Sequence, residues 1–175
     1  MREPYAPITG KKRVTWFVKA TIGPQSLASG VFTSALNTAR DKPFEYGPGW
    51  EGFGKRYGMR LTGVATNNAI EASLGSLWRE DPRYFRAAGR PIGRRIQNIV
   101  VMTFMAKRPD GHLAPAYARY AATTGGNFLS NTWRVDSEAN SGAAGRRVAL
   151  GFVGRMVGNT FKEFWPDLSR AIHHR

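Results

Sequence analysis

The sequence predicts a mainly α-helical single domain, a bundle of about five or six helices with close-packed small-residue interfaces. Three observations carry this. Apolar residues recur at spacings of three and four, as in Leu150, Val153, Val157, Phe161 and Phe164. Gly, Ala, Ser, Thr and Asn fill the positions between them and let helix backbones approach closely. Clusters of Pro, Gly and Asp then cut the chain into helix-length pieces.

Thr9 is placed to cap a short helix over residues 11–21, with Trp16 and Phe17 on its buried side and the lysines on its wet side. Gly23-Pro24 ends it, and proline suits the first turn of the next helix, residues 25–40. Residues 41–49 read as a loop. A long helix follows over 50–79, where Trp50, Phe53, Tyr57 and Leu61 share a face. Glu80-Asp81-Pro82 stops it, because the residue before proline avoids the helical region. Residues 83–93 form a basic connector.

Residues 94–107 fit a helix, and Ile99 to Phe104 fit a buried strand equally well. Arg108-Pro109-Asp110-Gly111 is a strong turn signal, so a minor β-hairpin near residues 99–120 is the alternative there, weakened by Pro115. Another small-residue helix is predicted over 114–133, a polar loop over 134–145, and a last helix over 146–164 ended by Pro166. Arg147, Arg155 and Lys162 form a basic stripe on that helix, with Gly151, Gly154 and Gly158 as a smooth groove. Residues 1–8 and 169–175 are expected to be flexible tails.

The chain has 175 residues, 26 Lys and Arg against 12 acids, and a formal net charge of +14. That length suits one core of roughly 100–200 residues. The charge favours an anionic partner: nucleic acid, acidic lipid or an acidic protein. No cysteine is present, so disulfides, thiolate metal sites and thiol catalysis are excluded. No stretch of about 20 predominantly apolar residues is found, and Lys19 breaks the apolar run behind Lys11-Lys12-Arg13 that would suggest a signal peptide.

No pattern for catalysis, cofactor or metal emerges, so no catalytic, cofactor-binding or metal-ligating residues are expected. His112 lies in a turn and His173-His174 at the end, without partners at ligand spacing. An enzyme would need a pocket gathering Glu71, Glu80, Asp81 or His112. Lys55, Arg56, Arg94, Arg95, Arg147 and Arg155 are expected to form a surface for anions. Gly54 and Gly58, with Gly151, Gly154 and Gly158, are expected to pack helices at small-xxx-small spacing.

Residues 54–57 and 81–86 interleave cations with rings, a combination used on single-stranded nucleic acid and at lipid headgroups. A faint repeat links residues 126–137 with 158–169, and more loosely with 68–81. Each copy would bury an Asn and end on a structural Trp: Trp78, Trp133 or Trp165. Few positions match, and such a Trp also serves an ordinary core.

The order Gly-Phe-Gly-Lys-Arg-Tyr-Gly (52–58), Glu-Asp-Pro-Arg-Tyr-Phe (80–85), Arg-Pro-Asp-Gly (108–111), Ser-Asn-Thr-Trp (130–133) and Phe-Lys-Glu-Phe-Trp-Pro-Asp (161–167) resembles a group of uncharacterised proteins from acidobacteria and related soil bacteria. The resemblance covers roughly residues 5–168. It implies an exported envelope protein and brings no activity with it. The expectation is a non-enzymatic, basic helical protein of the bacterial cell envelope, membrane-associated or part of a protein assembly. Its partners would be anionic lipid, an envelope protein or another copy of itself. Nucleic-acid binding is the alternative. Without an export signal the chain would be cytoplasmic.

Overall fold

The computed structural model describes residues 5–173. Its helices are α1 (Gly10–Ile22), α2 (Pro24–Ala39), α3 (Gly49–Leu77), α4 (Ile92–Phe104), α5 (Tyr117–Leu129) and α6 (Ser141–His173). A small antiparallel hairpin, β1 (Met105–Lys107) and β2 (Leu113–Pro115), joins α4 to α5. The mainly helical class with a minor hairpin is therefore as predicted. Helix α3 is the spine: α1, α2 and α5 pack against it, α6 packs on α5, and α4 packs on α6.

Local chemistry sets the boundaries. The Thr9 hydroxyl accepts the Lys12 N–H at 3.4 Å to open α1. Gly23 turns the chain so tightly that an added Cβ would meet the Lys19 carbonyl oxygen at 2.2 Å, and Pro24 opens α2. At the end of α3, Arg79 takes the left-handed region (φ +56°) and the Glu80 N–H bonds back to the Gly75 carbonyl at 2.8 Å.

Residues 99–104 are helical, not a strand. Ile99, Met102 and Thr103 are buried at spacings of three and one, which is one face of a helix. The hairpin is narrower than its predicted window. Its turn is the predicted one: Gly111 at φ +84° closes on the Arg108 carbonyl, and Asp110 accepts the His112 N–H at 3.0 Å.

Two expectations about α6 are corrected. It begins at Ser141, where Asn140 Oδ1 accepts the Ala143 N–H at 2.9 Å. It also runs through Pro166 to His173. A proline inside a helix disturbs the preceding turn; here Arg86 and Arg95 both donate to the Glu163 carbonyl in that turn. Residues 169–173 are thus helical rather than a tail, while 174–175 lie outside the described residues. At the other end, Tyr5 donates to Asp81 at 3.1 Å and the Ala6 carbonyl accepts from Arg83 at 2.8 Å, which ties these residues down. Residues 1–4 lie outside the described residues.

Candidate functional site

The interior is built from charges and small residues. The largest fully buried side chains are Arg119, Glu163, Thr103, Asp81, Ser34 and Ser130, and the buried apolar residues are mostly alanines beside Ile99, Met102 and Tyr46. Charged residues seldom occupy such positions unless paired. At the centre, Glu71 on α3 takes Arg119 Nε at 3.0 Å on one oxygen and Arg155 on the other. Arg119 also donates to the Met102 and Thr103 carbonyls at 2.9 and 3.0 Å, bridging α3, α4 and α5. Burial alone would raise the Glu71 pKa, but the two guanidinium groups outweigh it and hold the carboxyl below its ordinary range.

A second network joins α6 to α4 and the connector. Glu163 accepts from Tyr84 (2.6 Å), Arg95 (2.9 Å) and the Ala87 N–H (3.1 Å). Its burial is more than offset by these bonds, so its pKa is also lowered. Asp167 pairs with Arg86, Arg95 and Arg170. Glu80 caps α5 from outside, accepting the Tyr117 and Ala118 N–H groups at 3.1 and 2.9 Å, and Asp81 binds Arg83 through both oxygens.

Glu71, Glu80 and Asp81 are thus gathered in the interior instead of scattered on the surface. Each carboxylate is already answered by donors, and the gap bounded by Glu71, Glu80, Ala106 and Arg119 has no room for a water molecule. His112 sits apart, exposed on the hairpin turn. His174 lies outside the described residues.

The expected anion-binding set divides. Lys55 is exposed and pairs with Glu51, and Arg94 is exposed. The other four are spent internally, which corrects the sequence reading. Arg56 sends its donors to Lys42, Gly47 and Pro43 carbonyls and to Asp41, organising the loop before α3. Arg95 and Arg155 hold Glu163 and Glu71. Arg147 bonds the Glu138 and Asn127 carbonyls and the Asn131 side chain.

The glycine expectation divides in the same way. Nothing lies within 4 Å of a Cβ built on Gly54, Gly58 or Gly154, while Gly151 meets Thr123 at 3.0 Å and Gly158 meets Gln25 at 3.2 Å. Gly151 and Gly158 thus make close contacts as expected, and the tightest approaches lie at other glycines. A Cβ at Gly52 would sit 1.9 Å from the Gly47 carbonyl oxygen, and at Gly126, 1.8 Å from Asn67 Oδ1. Of the structural tryptophans, Trp78 and Trp165 are exposed, the latter stacked on Phe161 at 4.8 Å, and Trp133 is half-buried. Asn68 and Asn159 bond across helices to Thr21 and Thr103 at 3.1 Å, whereas Asn127 bonds within α5.

The large apolar side chains face outward. On α6, Val157 is 64 % exposed and Leu150 66 %, while Asn159 is 4 % and Glu163 0 % exposed. Val153, Phe161, Trp165, Leu168 and Ile172 continue the exposed stripe. The stripe on α4 is Ile92, Ile96, Val100 and Phe104, on α1 Val14, Val18 and Ile22, and on α2 Val31, Phe32 and Leu36. Ordinary soluble helices turn the apolar stripe to the core. On α1, α2 and α6 the order is reversed, while α4 carries apolar side chains on both its buried face (Ile99, Met102) and its exposed one; exposed apolar surface of this extent marks an interaction site. Lys11, Lys12, Lys19, Arg40, Lys42, Arg79, Arg90, Arg94 and Arg146 are also exposed and form no ion pair among the described residues.

No protein-family model matches the chain, and neither a curated protein nor a solved structure matches it.

Proposed function

We propose that this is a non-enzymatic protein of the bacterial cell envelope that lies on an anionic membrane surface. The observation that carries the reading is the reversed amphipathicity of α1, α2 and α6: small and polar residues inward, aliphatic and aromatic residues outward, with exposed unpaired cations elsewhere on the surface. Among the described residues no helix is long and apolar enough to cross a membrane. The association is therefore interfacial, with apolar side chains at the headgroup–acyl boundary and cations on acidic headgroups. Each such cation contributes about 1 kcal/mol near an anionic leaflet, so several act together. The envelope location rests on the resemblance.

The other partners fit less well. A second copy would bring two bodies of formal charge +14 together. Nucleic acid would need free rings interleaved with cations, and the most exposed rings, Phe32, Phe44 and Trp50, lie outside the two segments with that pattern. The basic aromatic segments are instead occupied internally: Arg83 binds Asp81, Tyr84 donates to Glu163, Phe85 packs on Tyr5, and Tyr57 stacks on Phe53.

Vesicle flotation tests the reading. The protein is expected to float with vesicles of phosphatidylglycerol and phosphatidylcholine, and to stay below with phosphatidylcholine alone. Failure to float with acidic vesicles, together with steeply salt-dependent binding to DNA or RNA, would replace it with the nucleic-acid reading.

A further inference from the structure

A cleft of about 360 Å³ opens between the connector and α4, lined by Ala87, Arg90, Arg94, Gln97, Asn98 and Val101. That volume lies at the small end of ligand clefts. Its two cations carry no acidic partner among the described residues. Arg94 makes only a neutral bond, to Gln97 Oε1 at 3.1 Å. The carboxylates of the network that joins α4 to α6, Glu163 and Asp167, are already matched by Arg86, Arg95 and Arg170. Thus Arg90 and Arg94 are not neutralised from behind. The first turn of α4, whose positive dipole end lies beside the cleft, has no acidic residue either.

We propose that this cleft binds the terminal phosphate of an anionic lipid headgroup, a phosphomonoester. This deepens the membrane reading and rests on it. Two guanidinium forks present paired N–H donors, the geometry that suits the several free oxygens of a terminal phosphate better than the two of a diester. Gln97 adds a neutral amide, while the Asn98 amide is tied to the Tyr84 hydroxyl and the Phe85 carbonyl and shapes the wall. The exposed Ile92, Ile96 and Val100 on the same helix give the acyl chains an apolar surface beside the phosphate. A lipid is thereby favoured over a free phosphate, which has no use for that stripe.

The test compares vesicles of phosphatidic acid and of phosphatidylglycerol at matched surface charge. The unaltered protein is expected to prefer phosphatidic acid by about tenfold, the effect of one further hydrogen bond to a charged oxygen. The double variant Arg90→Gln, Arg94→Gln is expected to lose that preference while still floating on both. The control Lys11→Gln, Lys12→Gln is expected to weaken both equally and keep the preference. No preference in the unaltered protein, or one that survives in the arginine variant, overturns the inference and leaves the membrane reading intact. Binding of inorganic phosphate that needs Arg90 and Arg94, without a preference between the vesicles, overturns the lipid source. Failure to float on any acidic vesicle removes the membrane reading itself.

Discussion

Single side chains decide which charges are structural and which are available. Arg94 and Arg95 are neighbours in the chain, yet Arg94 is exposed in the cleft and Arg95 is tied to Glu163 and Asp167. Removing one partner of a buried charge cluster leaves the others uncompensated. Glu71→Gln is therefore expected to destabilise the fold by about 3–5 kcal/mol, read as a shift of the urea midpoint. The same groups fix the acid response. Glu71 and Glu163 have folded-state pKa values below their ordinary range, so the folded state binds fewer protons than the unfolded chain in acid. Their contribution is present above the unfolded carboxyl value of about 4.3 and fades as pH falls through the folded values. Urea midpoints are expected to hold from neutral pH down to about 5 and then fall, with a shallower fall in Glu71→Gln. The residue scale was the least legible in the sequence. An arginine spent on a buried carboxylate, such as Arg155 on Glu71, comes from 84 positions away and looks in the chain like a surface cation.

Helices were the most legible elements. The start of α1 at Thr9, the Gly23-Pro24 break and the Arg108-to-Gly111 turn follow from local sterics and hydrogen bonding, which act over a few residues. The far end of α6 was not: a proline reads as a stop, whereas the turn before Pro166 receives hydrogen bonds from Arg86 and Arg95, partners far away in sequence. The facing of the helices was also hidden. The stripe from Leu150 to Phe161 is plain in the sequence, but periodicity alone does not say whether a stripe points in or out. The same applies to glycine. Spacing suggested Gly54, whereas contact falls at Gly126. Gly54→Ala, with open space around its Cβ, is expected to stabilise α3 by about 0.5–1 kcal/mol. Gly52→Ala, whose Cβ would meet the Gly47 backbone carbonyl at 1.9 Å, is expected to cost about 1–3 kcal/mol. Thermal melts of the two variants check the opposite signs.

At the scale of the molecule, polar networks pin the helices together while apolar stripes and unpaired cations face outward. Aliphatic surface in water gains nothing from that exposure, about 25 cal/mol per Å² being forgone. A membrane interface would recover part of it and answer the net charge of +14 at the same time. The absence of cysteine makes this directly measurable, since one introduced thiol can carry an environment-sensitive fluorophore. The probe is placed by Val157→Cys on the outward stripe of α6, with Thr124→Cys, an exposed polar position of α5, for comparison. In buffer both probes should report water. On adding acidic vesicles, the probe at 157 is expected to shift to an apolar signal and the one at 124 to move much less. A probe at 157 that is already shielded in buffer, or that stays water-exposed when vesicles are present, would contradict the outward-facing membrane surface.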